Sequence, residues 1–193
     1  DEPLNARLLN LEATSGGVVD LAAQNSVNID AITAGDRVLL TAGGDITGNS
    51  VTSTGTGNTK PDQTISITST AGNVSLANVT GQTDVAVSGQ TGVTLGTLSS
   101  TGGSVAASST GGNVALDGTS AGQNVNVNAT RGTVTANTTT AGGALTTSSA
   151  RGTTLGTASA SGDMTLSAGG NLDATTLTST GGNVNANSSG GNI

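Results

Sequence analysis

A short unit, Gly-(Gly)-Asn/Asp-apolar-x-apolar, recurs about every ten residues along the whole of this 193-residue chain. It reads Gly72-Asn73-Val74-Ser75-Leu76, Gly112-Asn113-Val114-Ala115-Leu116, Gly162-Asp163-Met164-Thr165-Leu166, Gly170-Asn171-Leu172-Asp173-Ala174 and Gly182-Asn183-Val184-Asn185-Ala186. A unit this small cannot bury its own apolar residues. Many copies in a row must therefore stack on one another, which makes a solenoid rather than a globular enzyme.

The first apolar residues of successive units are Val18, Val27, Val38, Ile46, Val51, Ile65, Val74, Val85, Val93, Val105, Val114, Val125, Val134, Leu145, Thr154, Met164, Leu172, Val184 and Ile193. Short and long steps mostly alternate, so the fuller repeat is a pair. Val85, Val105, Val125 and Leu145 are spaced by 20, and Val114, Val134 and Thr154 do the same on a second track. About 20 residues per coil and roughly nine coils at ~4.8 Å each predict a rod on the order of 40 Å long.

Within each unit apolar and polar residues alternate, as in Val125-Asn126-Val127-Asn128-Ala129 and Val27-Asn28-Ile29, the period of a half-buried strand. Thr, Val and Ser favour extended backbone, and Gly recurs too often for a helix to survive. Hairpins are disfavoured, because Asn-Gly is absent and Asp117-Gly118 is the sole Asp-Gly among 31 glycines. The order Gly-Asn instead turns a corner and restarts an extended segment, with Asn bonding its own backbone. Parallel strands stacked coil on coil follow. The lack of any Phe, Tyr or Trp suits a narrow core with one small side chain per coil and column. Low charge and abundant Gly, Ser, Thr and Asn also describe disordered chains, but a linker has no reason to keep Val, Leu and Ile in phase.

Charge and cysteine content exclude several classes of function. A net charge of −7 with five basic residues disfavours nucleic acid and anionic membrane as partners. There is no cysteine, so no disulfide or thiol chemistry. No apolar run exceeds Val38-Leu39-Leu40, which predicts neither membrane insertion nor a signal peptide in this stretch. Residues 1–193 read as a single segment of a longer protein, since Ile193 opens a further unit, with a loop inserted near 52–63 around Lys60-Pro61-Asp62.

Ala42-Gly43-Gly44-Asp45-Ile46, Ala168-Gly169-Gly170-Asn171-Leu172 and Thr180-Gly181-Gly182-Asn183-Val184 resemble the repeats of filamentous haemagglutinin-like exoproteins, the large adhesins of bacterial two-partner secretion. The resemblance covers nearly the whole chain. It implies an all-β, right-handed, single-stranded parallel β-helix, a hand also favoured by the general bias of parallel connections. It further implies a rod or stalk segment of a secreted, cell-surface adhesin. Such a segment would serve attachment, aggregation or biofilm virulence, with an outer-membrane transporter as export partner and host or matrix glycans or another copy of the chain as binding partners. A chain without cysteines, aromatics or long apolar runs suits export unfolded, followed by coil-by-coil folding.

Catalysis finds poor material here. There is no His, Cys or Tyr, one Lys, and after the first third only the single acids Asp84, Asp117, Asp163 and Asp173. Asp36 and Asp45 would meet only through turn geometry, and solvated turns are the simpler reading. Neither the tandem Gly-Gly-x-Gly-x-Asp of a calcium roll nor a Gly-rich phosphate loop ending in Lys-Ser/Thr occurs. The expectation is no enzyme, no metal and no cofactor.

Arg131-Gly132-Thr133 and Arg151-Gly152-Thr153 lie 20 residues apart, one coil, which makes Arg131 and Arg151 candidates to grip a carboxylate-bearing glycan. Repeat inheritance with solvated side chains is the competing reading. Glycosylation sequons stand at Asn78, Asn128, Asn137 and Asn187. A carbohydrate- or self-binding module is the alternative function, and an ice-binding solenoid, suggested by Thr133-Val134-Thr135 and Thr176-Leu177-Thr178, a remote one. Ice binding needs Thr at one outward position on every coil, whereas Ser75, Ala115, Asn126, Thr135 and Asp173 vary.

Overall fold

The computed structural model describes residues 11–55 and 63–193. The first nine strands are β1 (Leu11–Ser15), β2 (Val19–Ala23), β3 (Val27–Ala34), β4 (Val38–Ala42), β5 (Ile46–Ser53), β6 (Ile65–Ser69), β7 (Asn73–Gly81), β8 (Val85–Gly89) and β9 (Gly92–Ser100). The rest are β10 (Val105–Ser109), β11 (Val114–Ala121), β12 (Val125–Ala129), β13 (Val134–Ala141), β14 (Leu145–Ser149), β15 (Thr153–Ala160), β16 (Met164–Ala168), β17 (Leu172–Ser179) and β18 (Val184–Ser188). Odd-numbered strands form one nine-stranded sheet in chain order and even-numbered strands another. Every pairing is parallel, between strands one coil apart, as in Val105↔Val125 and Val114↔Val134. This is the parallel solenoid that the repeat predicts.

The two tracks are not alike. Even strands have five residues and a plain alternation, as in β12, whose pattern runs in, out, in, half-buried, in. From β3 onward odd strands have eight or nine, and their alternation breaks in the middle. In β13 Val134 and Ala136 point in, Asn137 and Thr138 both point out, and Thr139 and Ala141 point in again. The ladder skips a residue at that break, passing from Leu116↔Ala136 to Gly118↔Thr138 and leaving Asp117 and Asn137 outside it. Each long strand therefore bends once and covers two faces, and the short strand supplies the third.

Three sequence positions were out of register. Val19, not Val18, pairs with Val38, and Val18 is exposed. Val51 opens no strand, because it is the inward residue of the second half of β5, level with Ile32 and Val79. Thr153, not Thr154, sits level with Val134 and Leu172 and is buried. The turn before β15 is one residue shorter than the turn before β13, which swings Thr153 inward. Its hydroxyl then meets Ser149 Oγ at 2.9 Å, so a polar residue is accommodated at an apolar level.

The segment 52–63, read from the sequence as an inserted loop, is described only in part. Thr52 and Ser53 belong to β5, while residues 56–62, including Lys60-Pro61-Asp62, lie outside the described residues. The register from Val38 to Ile65 spans 27 positions, against 20 from Ile65 to Val85.

The core is a set of columns along the axis. Ile29, Ile32, Leu40, Ile46, Ile65, Ile67 and Leu98 are among the largest fully buried side chains of the earlier coils, and Leu145, Leu155, Met164 and Leu166 of the later ones. Between them the interior is built mainly from Val and Ala, with Leu116 and a few buried Thr and Ser. Each buried aliphatic side chain contributes about 1.5–3 kcal/mol, so a coil is held by a few such residues and by its ladder bonds to two neighbours.

Candidate functional site

In six of the units the Asn or Asp that opens the unit bonds between coils rather than within its own turn. Asp45 Oδ1 accepts from the Asn73 backbone N–H at 2.8 Å, Asp84 Oδ1 from Ser104 at 2.8 Å, Asn113 Oδ1 from Thr133 at 2.9 Å, and Asp163 Oδ1 from Asn183 at 2.8 Å. Asn124 and Asn171 repeat the bond to Ala144 and Asn192. Each carboxylate or amide satisfies a corner N–H one coil onward that the strand ladder does not reach. Four of the acids that the sequence offered for chemistry are thus placed: Asp45, Asp84 and Asp163 by these bonds, and Asp36 and Asp45 at opposite ends of β4, where an extended strand holds them apart.

A second corner device went unread in the sequence. Ser100 Oγ accepts from the Gly103 N–H at 2.9 Å and donates to the Thr83 carbonyl at 2.5 Å. Ser69, Ser179 and Ser188 make the same pair of bonds, and Ser109 accepts from Gly112. The spelling Ser-Thr-Gly-Gly at 100–103, 109–112 and 179–182 was the available signal. Glycine is required at several of these corners because a Cβ on Gly112 would overlap the Thr91 carbonyl oxygen of the coil below.

Three kinds of feature are left on the surface. The first is a hydroxyl column on the second face of the long strands: Thr33, Thr52, Thr80, Ser99, Ser120, Thr140, Ser159 and Thr178 lie level on successive coils. The variable residues Ser75, Ala115, Thr135 and Asp173 belong to the first face, and Asn126 to the other sheet. The irregularity read from sequence therefore combined positions from two sheets and missed the regular face.

The second is the arginine pair. Arg131 and Arg151 are exposed in the turns after β12 and β14, on one edge of the rod, and neither side chain forms an ion pair or hydrogen bond among the described residues. The structure brings them to adjacent coils as the spacing predicts, the Arg151 backbone N–H donating to the Gly132 carbonyl.

The third is a notch of about 180 Å³ on the first face, lined by Thr94, Leu95, Ala115, Leu116, Asp117, Thr135 and Asn137. It lies where Ala115 replaces the larger outward residues Thr94 and Thr135 of the neighbouring coils, and where Gly96 leaves the corner below Asp117 bare. Asn137 Nδ2 donates to Asp117 Oδ1 at 2.6 Å along the notch wall. That bond engages the amide of the glycosylation sequon at Asn137, and the third residue of the same sequon, Thr139, is buried.

Among the described residues no three His, Cys, Asp or Glu side chains converge to hold a metal ion, and no helix is long and apolar enough to cross a membrane. Comparison with protein families, with curated proteins and with solved structures finds no match to this chain.

Proposed function

We infer that the chain is a structural rod segment of a secreted bacterial surface adhesin, similar to the filamentous haemagglutinin-like exoproteins, and that it spaces or aggregates cells rather than turning over a substrate. The observation that carries this reading is the use of polar groups. Asx and Ser side chains at the corners are engaged in bonds between coils, which is what a load-bearing stack requires and what a catalytic cleft would not leave. Export through an outer-membrane partner, a right-handed coil and a cell-surface location belong to the same proposal.

The test is excision of two whole coils, residues 105–144, which joins Ser104 to Leu145 on the same track. The shortened chain should melt cooperatively and, displayed on cells, retain autoaggregation over the unmodified display host. Loss of aggregation from a folded, shortened chain would place the function in a local site and defeat the rod reading.

A second reading, an ice-binding solenoid, is favoured by the hydroxyl column. Neighbouring hydroxyls along it are spaced by ~4.8 Å, the coil rise. Beside it runs Ala31, Ser50, Asn78, Thr97, Gly118, Thr138, Thr157 and Thr176, so the double Thr/Ser array is complete only on part of the rod. Ice recrystallisation in the presence of the chain, with Thr140→Lys as comparison, distinguishes the two; no inhibition leaves the rod reading alone.

A further inference from the structure

We propose that the notch at Ala115 binds one neutral pyranose unit of a glycan through a pair of vicinal hydroxyls. This goes beyond the rod reading and does not depend on it. The wall carries the chemistry. Asn137 Nδ2 donates to Asp117 Oδ1 at 2.6 Å, which ties the two side chains together and leaves Asp117 Oδ2 and Asn137 Oδ1 as further acceptors on the notch lining. Two acceptors on bonded side chains suit a ligand with two neighbouring donors, which a vicinal diol supplies. Thr94 and Thr135 add one hydroxyl on each side, each able to donate or accept. The Ala115 methyl between them gives the C–H face of a sugar ring an apolar floor.

Charge and size narrow the ligand further. The one ionised group in the lining is a carboxylate, which repels sulfated, phosphorylated and carboxylated sugars from this position. A volume of about 180 Å³ is below that of pockets for drug-sized molecules, roughly 300 Å³ upward, and suits a single ring.

The chain contains its own control. Asp30 and Asn49 form the same corner pair at 2.8 Å two coils from the start of the described stack. There the outward residues beside them are Asn28 and Thr47, whose side chains lie 3.5 Å apart and fill the space that Ala115 leaves open. The acid–amide pair is thus a feature of the repeat, and the notch is the local departure from it.

The experiment is a titration of the isotopically labelled full chain with methyl α-mannoside, methyl β-glucoside and methyl β-galactoside, read by backbone amide shifts. A single ring held by about four hydrogen bonds predicts a Kd on the order of millimolar. At least one glycoside should shift Ala115, Asp117 and Asn137 saturably. Ala115→Thr restores the residue found one coil above and below, so its melting curve should be unchanged, while affinity falls at least tenfold. Asp30→Ala should leave affinity unchanged. The proposal is overturned by no saturable shift at the notch with any of the three, by undiminished binding to Ala115→Thr, or by shifts centred on Arg131 and Arg151. It is also overturned if calcium chloride alone produces the same shifts, which would make the acid–amide pair a cation site.

Discussion

Replacing Thr139 by Val should make the rod more stable. Thr139 is inward-facing on the second face of β13, 2 % exposed, and its Oγ1 is buried without a hydrogen-bond partner, as is that of Thr119 one coil below. A buried hydroxyl without a partner forfeits about 1–3 kcal/mol of hydration. Val keeps the shape of the side chain and exchanges the hydroxyl for a methyl, whose burial adds up to about 0.8 kcal/mol. The two contributions have the same sign, so Thr139→Val should stabilise by about 1–3 kcal/mol, or roughly 2–10 °C in Tm for a chain of this size. The assay is urea unfolding followed by far-ultraviolet circular dichroism, with the denaturant slope checked for constancy. Thr140→Val, on the outward hydroxyl column next door, is the control and should stay within about 0.5 kcal/mol of the parent. Destabilisation by Thr139→Val of about 1 kcal/mol or more, with Thr140→Val neutral, would refute the reasoning by showing that the Thr139 hydroxyl has a partner in the folded state.

Leu98→Ala, at a site with no exposed surface between Val79 and Thr119, should cost about 2–5 kcal/mol in the same unfolding assay. Gly112→Ala puts a methyl on the Thr91 carbonyl and should destabilise by about 3 kcal/mol or more, whereas Gly118→Ala, whose nearest atom is Gly96 O at 3.9 Å, should be neutral or slightly stabilising; equal melting of the two would contradict the corner geometry. Asp163→Ala removes the acceptor for the Asn183 N–H and should cost about 0.5–2 kcal/mol, with faster amide exchange at Asn183 as its local signature. Amide exchange should also be faster across β10–β13 than across β5–β9.

The period made most of the architecture legible, because a stacked coil has no freedom to place Val114 and Val134 anywhere but level. What the period could not convey was the bend inside each long strand. Asn137-Thr138 looks like ordinary polar sequence, and only the closure of three faces around a core shows that both must point out. The same bend decides which surface residues share a face, so the hydroxyl column was hidden although every residue in it could be read. Thr154 misled for a different reason: Arg151-Gly152-Thr153 copies Arg131-Gly132-Thr133, but the shorter turn moves the buried level forward by one. Arg131 and Arg151 stood out as charges in a nearly neutral stretch and are indeed neighbours. The notch did not stand out, because it is made by what is missing at Gly96 and Ala115.

The interior itself varies along the axis, and this bears on where the rod yields. From Val105 to Ala141 the buried positions hold Val, Ala, Ser and Thr, with Leu116 as their largest member. The coils before carry Ile29, Ile32, Ile65, Ile67 and Leu98, and those after carry Leu145, Leu155, Met164 and Leu166. In a solenoid each coil is stabilised only by itself and its two neighbours, so a thin stretch is not rescued by strong coils farther away. Among the internal coils the middle of the rod is therefore the weakest link, with a more strongly packed block on either side. The notch lies on this stretch, and its lining residues Thr94, Ala115 and Thr135 come from three successive coils. A ligand bridging them would add contacts across the two interfaces that the core supports least, so occupancy of the notch should raise the stability of the middle coils more than that of either end.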